Sequence, residues 1–162
     1  MKIGVIADTH IPDRADAIPE VILKEFRHVD MVIHAGDLVE AAVIEELKRV
    51  CKNVQAVWGN MDPAEVRELL PGKKILKIGK FRIGIMHGYG HPDKLPELLL
   101  EEFKNDNVNL VIFGHSHRPA EFVKKGIKFF NPGSVTDKLF TPFNSYGIIE
   151  INDAIESKII KL

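Results

Sequence analysis

Five short apolar runs each lead into a residue that can bind a metal ion, and this repeated ending limits the fold more than any other feature of the chain. The runs are Ile3–Ala7, Met31–Ala35, Val54–Trp58, Phe81–Met86 and Asn109–Phe113. They lead into Asp8 and His10, Asp37, Asn60, His87, and His115 with His117. Short continuous apolar runs are the pattern of strands buried on both faces. In α/β sheets, ligands gather in the crevice beyond the carboxyl ends of the strands. If these strands share one sheet, all seven side chains converge on one rim. His115 and His117 stand two apart, and in an extended segment such residues point the same way. Gly36, Gly59 and Gly114 precede ligand candidates, where a missing Cβ permits a sharp turn and close backbone approach.

Between these runs the apolar period becomes helical. Ile18, Ile22, Leu23 and Phe26 mark a helix over Ile18–Val29, and Val43, Ile44, Leu47 and Val50 mark another over Glu40–Val50. Asp62 followed by Pro63 predicts a capped short helix to Leu70. The first 70 residues thus read β-α-β-α-β-α, which requires parallel strands and helical crossovers. After Pro71-Gly72, Lys73–Ile78 and Phe81–Met86 form a hairpin through Gly79-Lys80. A helix follows over Pro92–Lys104, with Leu95, Leu98, Leu99 and Phe103 as its stripe. Two more hairpins pair Glu121–Lys125 with Ile127–Phe130, and Tyr146–Ile151 with Ile155–Ile160. This mostly antiparallel half predicts a second sheet stacked on the first. The expectation is an α/β chain forming one domain over residues 1–162.

The balance of charge sets limits on partners. A net charge of −1 creates no field that would draw in a nucleic-acid backbone or an acidic membrane. Cys51 is the single cysteine, so no internal disulfide forms and a reducing cytoplasm is expected. No apolar run approaches the roughly 18 residues of a membrane span. The N-terminus reaches Asp8 too soon for a signal peptide.

The donor set is chemically coherent. Four imidazoles, two carboxylates and one amide exceed the needs of one tetrahedral ion. They suit two ions that share a carboxylate and keep places for water and substrate. Mixed nitrogen and oxygen donors without thiolate favour manganese, iron, zinc, cobalt or nickel over copper(I) or calcium. Two such ions clamp an in-line attack on phosphorus and generate hydroxide near neutral pH.

The series Asp8-x-His10, Gly36-Asp37, Gly59-Asn60, His87 and Gly114-His115-Ser116-His117 resembles the calcineurin-like metallophosphoesterases. Its spacing, from Lys2 to about Ser134, is most similar to the small bacterial and archaeal phosphodiesterases of the YfcE type. The resemblance implies a four-layer α/β/β/α sandwich of two mixed sheets flanked by helices. It implies that Asp8, His10 and His117 hold one divalent ion, that Asn60, His87 and His115 hold a second, and that Asp37 bridges them. Manganese is the first choice, with iron, zinc, nickel, cobalt or magnesium also fitting. The implied activity is hydrolysis of a small phosphoester, foremost a diester, by a metal-bridging hydroxide, with Asn60 steadying the phosphoryl oxygens. One position departs from many members of the family. Met61 stands where they carry a histidine that protonates the leaving group or contacts substrate. This disfavours phosphoproteins and alkyl esters and fits the narrower phosphodiesterase group. The other expectation on the same fold is a protein-binding scaffold, similar to the Vps29 subunit of retromer.

The remaining candidates carry plainer readings. Arg14 could reach a phosphate oxygen, although a solvated loop arginine explains it too. His34 reads as a hydrogen-bonded core or near-site histidine, His91 as a loop residue and His28 as a helix-end cation. Asn131–Ser134 reads equally as a turn or as pocket lining. Lys73, Lys74, Lys77, Lys80 and Arg82 read as a solvated sheet face rather than a nucleic-acid contact. Leu139, Phe140 and Phe143 either cover the core or serve a homo-oligomer contact.

Overall fold

The computed structural model describes residues 1–137 and 139–162. Strands β1 (Lys2–Ile6), β2 (Met31–His34) and β3 (Val54–Ala56) alternate with helices α1 (Glu20–Phe26), α2 (Ala42–Val50) and α3 (Ala64–Leu69). Then come β4 (Lys73–Ile78), β5 (Phe81–Met86), α4 (Leu95–Glu102), β6 (Leu110–Ile112), β7 (Ala120–Lys124), β8 (Ile127–Asn131), β9 (Ser145–Ile151) and β10 (Ile155–Lys161). A short 3-10 turn over Pro92–Lys94 leads into α4. No described helix is long and apolar enough to cross a membrane.

The strands form two five-stranded sheets, in the orders β10-β9-β1-β2-β3 and β4-β5-β6-β8-β7. The side-chain period explains the layers. Ile3, Val5 and Ala7 point inward with Ile33, Ile83, Ile85, Leu110, Ile112 and Phe130 to fill the space between the sheets. Ile6 and Val32 point outward, onto Ile22 and Phe26 of α1 and Val43 and Leu47 of α2. Val111 and Phe129 face outward on the other side, onto Leu95, Leu99 and Phe103. Both helical layers seat a phenylalanine over a strand glycine. A Cβ on Gly4 would lie 2.4 Å from Phe26, and one on Gly84 2.5 Å from Phe103. The result is the expected α/β/β/α sandwich of two mixed sheets.

Two readings need correction. The five strand ends do not share one sheet. β9 occupies the free edge of β1, with Ile3 opposite Ile149, so β5 and β6 belong to the second sheet. The second half is mostly antiparallel, as expected, in the pairs β4–β5, β7–β8, β9–β10 and β9–β1, although β5, β6 and β8 run parallel at the centre of their sheet. Finally, Asp62 does not cap α3. Pro63 occupies the cap position and no side chain bonds there. The Asp62 carboxylate is buried and turned the other way, where it accepts N–H bonds from Gly59 at 2.7 Å, Val39 at 2.7 Å and Asp37 at 3.1 Å. Three fixed donors hold an ionised acceptor better than one helix end does.

Candidate metal centre

The two sheets stack with these strand ends at the same end of the sandwich. The Gly114 N–H donates to the His87 carbonyl at 3.1 Å, and Ala7 bridges in parallel to Ser134. The His115 N–H reaches across to Asp8 Oδ1 at 3.1 Å. All seven residues therefore meet, although on loops from two sheets. Gly59 shows how tight the approach is, since a Cβ there would lie 2.2 Å from Asp37 Oδ1.

The loops are not extended. Asp8, His10, Asp37, His115 and His117 all adopt positive φ, between 43° and 70°. Side chains other than glycine pay about 1–3 kcal/mol for such backbone, which persists where surrounding structure enforces it and clusters at functional sites. This overturns the expectation that His115 and His117 point the same way. His117 Nε2 faces His10 Nε2 at 3.1 Å and Asp8 Oδ1 at 3.5 Å. His115 turns aside, with Nε2 2.7 Å from the Gly90 carbonyl and Nδ1 2.8 Å from Asn60 Oδ1.

One group of donors forms a compact pocket. Asp8, His10, Asp37 and His117 are all buried, and each offers an atom within 4.8 Å of the others. Asp37 Oδ1 is occupied by the Met61 N–H at 2.8 Å. Its Oδ2 lies between the two groups, 3.6 Å from His10 Nε2 and 3.2 Å from His87 Nε2. His87 donates from Nδ1 to the Ala35 carbonyl at 2.7 Å, since a carbonyl can only accept. Asp8 Oδ2 and His87 Nε2 are buried with no hydrogen-bond partner among the described residues. A native fold rarely orphans such atoms without a reason, and a divalent cation would satisfy both. His115 Nδ1 and Asn60 Oδ1 stand together at 2.8 Å on the far side of this group. The donor set fits metal on both sides of Asp37.

Electrostatics agree. Burial pushes the Asp8 carboxyl up to about 6, with the Asp37 charge adding and His87 and His117 opposing. Burial opposes charge on His87, yet Asp8, Asp37 and the Ala35 carbonyl outweigh it and raise its pKa to about 9. A proton on Nε2 then stands where a cation would sit. Burial lowers His10 to about 4 against the pull of Asp37, which keeps this imidazole neutral and available as a donor. Asp37 is held below its ordinary value despite burial, by His87 and the Met61 N–H.

Above these residues opens a cleft of about 560 Å³. Its walls include Arg14, Asn60, Met61, His91, Arg118 and Phe140. Arg14 is not a free loop cation, because its Nη1 donates to Asp137 Oδ1 at 3.0 Å. His34 is buried between Thr9 Oγ1 at 3.0 Å and the Gly36 N–H at 3.2 Å, as a near-site core residue. His91 is exposed and accepts from the Asp93 N–H. In the basic hairpin, Lys73 pairs with Asp106 and Arg82 bonds the Asp106 carbonyl. Leu139 is exposed, Phe143 is half-buried and Phe140 lines the cleft, so the three form no common core cover.

Sequence reasoning missed the braces. Asn131 Nδ2 donates to the Gly114 carbonyl, Ser134 Oγ to the Asp8 carbonyl and Thr136 Oγ1 to the Thr9 carbonyl, at 2.9, 2.7 and 2.7 Å. Asp137 accepts the His117 Nδ1–H at 2.6 Å. Arg67 donates to the Asp62 and Asn60 carbonyls. The one sequence signal was Asn131-Pro132-Gly133-Ser134 directly after a strand.

The sequence profile of the calcineurin-like phosphoesterase superfamily domain matches residues 1–154. A probable metallophosphoesterase of Methanocaldococcus jannaschii is 39% identical over 165 residues, spanning 100% of this chain and 82% of that protein. A solved structure described as a novel archaeal phosphodiesterase has a TM-score of 0.80 at 25% identity and covers 100% of both chains. The wild-type Vps29 of Entamoeba histolytica, solved with zinc, has a TM-score of 0.78 at 28% identity over 99% of each chain. With its seven strand-end residues gathered at one end of this sandwich, the chain belongs to the calcineurin-like phosphoesterase superfamily.

Proposed function

We propose that the protein is a metal-dependent phosphodiesterase that uses two divalent ions, manganese first. The orphaned pair of buried atoms, Asp8 Oδ2 and His87 Nε2, flanking the free Oδ2 of Asp37, is the observation that carries this reading. Asp8, His10 and His117 would hold one ion and His87, Asn60 and His115 the other, with Asp37 shared. Bound there, such a pair lowers the pKa of water and neutralises charge on phosphoryl oxygens. The chain supplies the rest. Asn60 is exposed at the cleft floor, where its amide can donate to a phosphoryl oxygen. Arg14, held by Asp137, presents its remaining N–H groups along the wall. Met61 cannot protonate a leaving group, so good leaving groups are favoured. The similarity to an archaeal phosphodiesterase supports a diester over a monoester. The lone buried Cys51 suits a reducing cytoplasm.

A second reading, a protein-binding scaffold, rests on the likeness to Vps29 proteins, because one fold can carry different functions. Rates on an aryl phosphodiester and the matching monoester separate the readings. The metal-stripped protein, with manganese restored, is expected to prefer the diester. Monoester preference would overturn the diesterase assignment, and no turnover of either with any of the candidate metals would favour the scaffold.

A further inference from the structure

Asp137 is buried although it lies in a loop, and every acceptor site of its carboxylate is used. Oδ2 takes the His117 Nδ1–H at 2.6 Å and the Phe140 N–H at 3.1 Å. Oδ1 takes Arg14 Nη1 at 3.0 Å and the Leu139 N–H at 2.9 Å. The Asp137 N–H is itself tied to Ser134 Oγ at 3.0 Å, and Ser134 also braces the Asp8 carbonyl. An ionised carboxylate only accepts, so the proton of a neutral His117 is fixed on Nδ1. Nε2 is then bare and aimed at His10 and Asp8. Arg14 adds a charged donor on the other oxygen.

We propose that Asp137 is a positioning residue of the metal centre, holding His117 in the one tautomer that presents Nε2 to a metal ion. Carboxylates set behind a metal-binding imidazole fix both ring and tautomer, and losing one costs about 10- to 100-fold in metal affinity. The inference deepens the metal-dependent reading and rests on it. Its first test, however, needs no metal.

Long-range proton–nitrogen NMR of the metal-free protein reads the His117 tautomer directly. The expected spectrum has a protonated Nδ1 and a bare Nε2 in wild type. In Asp137→Asn, whose amide can donate to Nδ1, the proton is expected to move to Nε2. Calorimetric titration with manganese should then show affinity about 10- to 100-fold weaker in Asp137→Asn. In a His117→Ala background the same change should cost less than about twofold, because its target is gone. A wild-type His117 protonated on Nε2 would overturn the proposal even if no variant folds. An unchanged tautomer in Asp137→Asn, or an undiminished loss in the His117→Ala background, would reduce Asp137 to a loop brace. Failure of the wild-type protein to bind manganese, with the expected tautomer present, would count against the proposed function and leave only the hold of Asp137 on the His117 tautomer standing.

Discussion

Met61 is the residue whose chemistry most narrows the substrate. Its backbone N–H serves Asp37 Oδ1, while its exposed side chain lines the cleft beside Asn60. Replacing only the side chain should leave the Asp37 contact in place. Met61→His is therefore expected to raise hydrolysis of an alkyl phosphoester relative to an aryl one by roughly 100-fold, the lower end of what a placed general acid contributes. Steady-state kcat/KM ratios on the two esters check this, and an unchanged ratio would show that leaving-group protonation is not limiting. The gathering of the seven candidate residues was legible because each follows an apolar run, a pattern within one short window. Asp62, Asp137 and Thr136 were not, because the site residues they brace, Asp37, His117 and Thr9, lie 25, 20 and 127 residues away in sequence. A buried Asp beside a proline looks the same in sequence whether it caps its own helix or ties down a distant loop.

At the scale of elements, the helices cover the outer faces of the two sheets and the loops gather beyond the strand ends. Phe103 ends the α4 layer and packs against Gly84 of β5, fully buried and remote from the cleft. Phe103→Ala is expected to cost about 3–5 kcal/mol of stability in denaturant unfolding, with manganese affinity of the folded protein unchanged. A loss of affinity as large as the loss of stability would mean that α4 and the metal loops form one unit. Element types were readable from the change between strand and helix periods, and most boundaries fell within two residues. The later start of α1 reflects Pro19, and β3 stops at Ala56 as the Trp58 N–H turns to the Pro71 carbonyl, so tertiary contacts rather than local pattern decide. What the pattern could not give was the direction of the central strands. β6 follows β5 through α4, the same β-α-β step as in the first half, but β8 reaches β6 only by a detour over β7, and that parallel pairing has no local signal.

At the scale of the whole molecule, metal and proton compete for one charged hole between the sheets. In the metal-free protein His87 is raised from 6.5 to about 9. Its stabilising share is thus full below pH 6.5 and lost as pH rises through about 9. Metal binding needs Nε2 bare, so it should release a proton below pH 9. Affinity should weaken as pH falls and weaken faster below about 6, where Asp8 also takes a proton. Calorimetry in two buffers of different ionisation enthalpy counts that proton, and affinity independent of pH between 6 and 8 would refute the competition. The sandwich was legible as two sheets, but the convergence of the candidates was tied to the condition that their strands share one sheet, whereas the two sheets share them. The β9–β10 hairpin returns from the C-terminal end to close β1, a pairing across some 140 residues that no local signal marks. The measurement closest to the central claim is hydrolysis of an aryl phosphodiester by metal-stripped protein, with and without manganese, in wild type and Asp37→Asn. The account predicts turnover only in wild type with manganese. Turnover without metal, or undiminished turnover in Asp37→Asn, would contradict it.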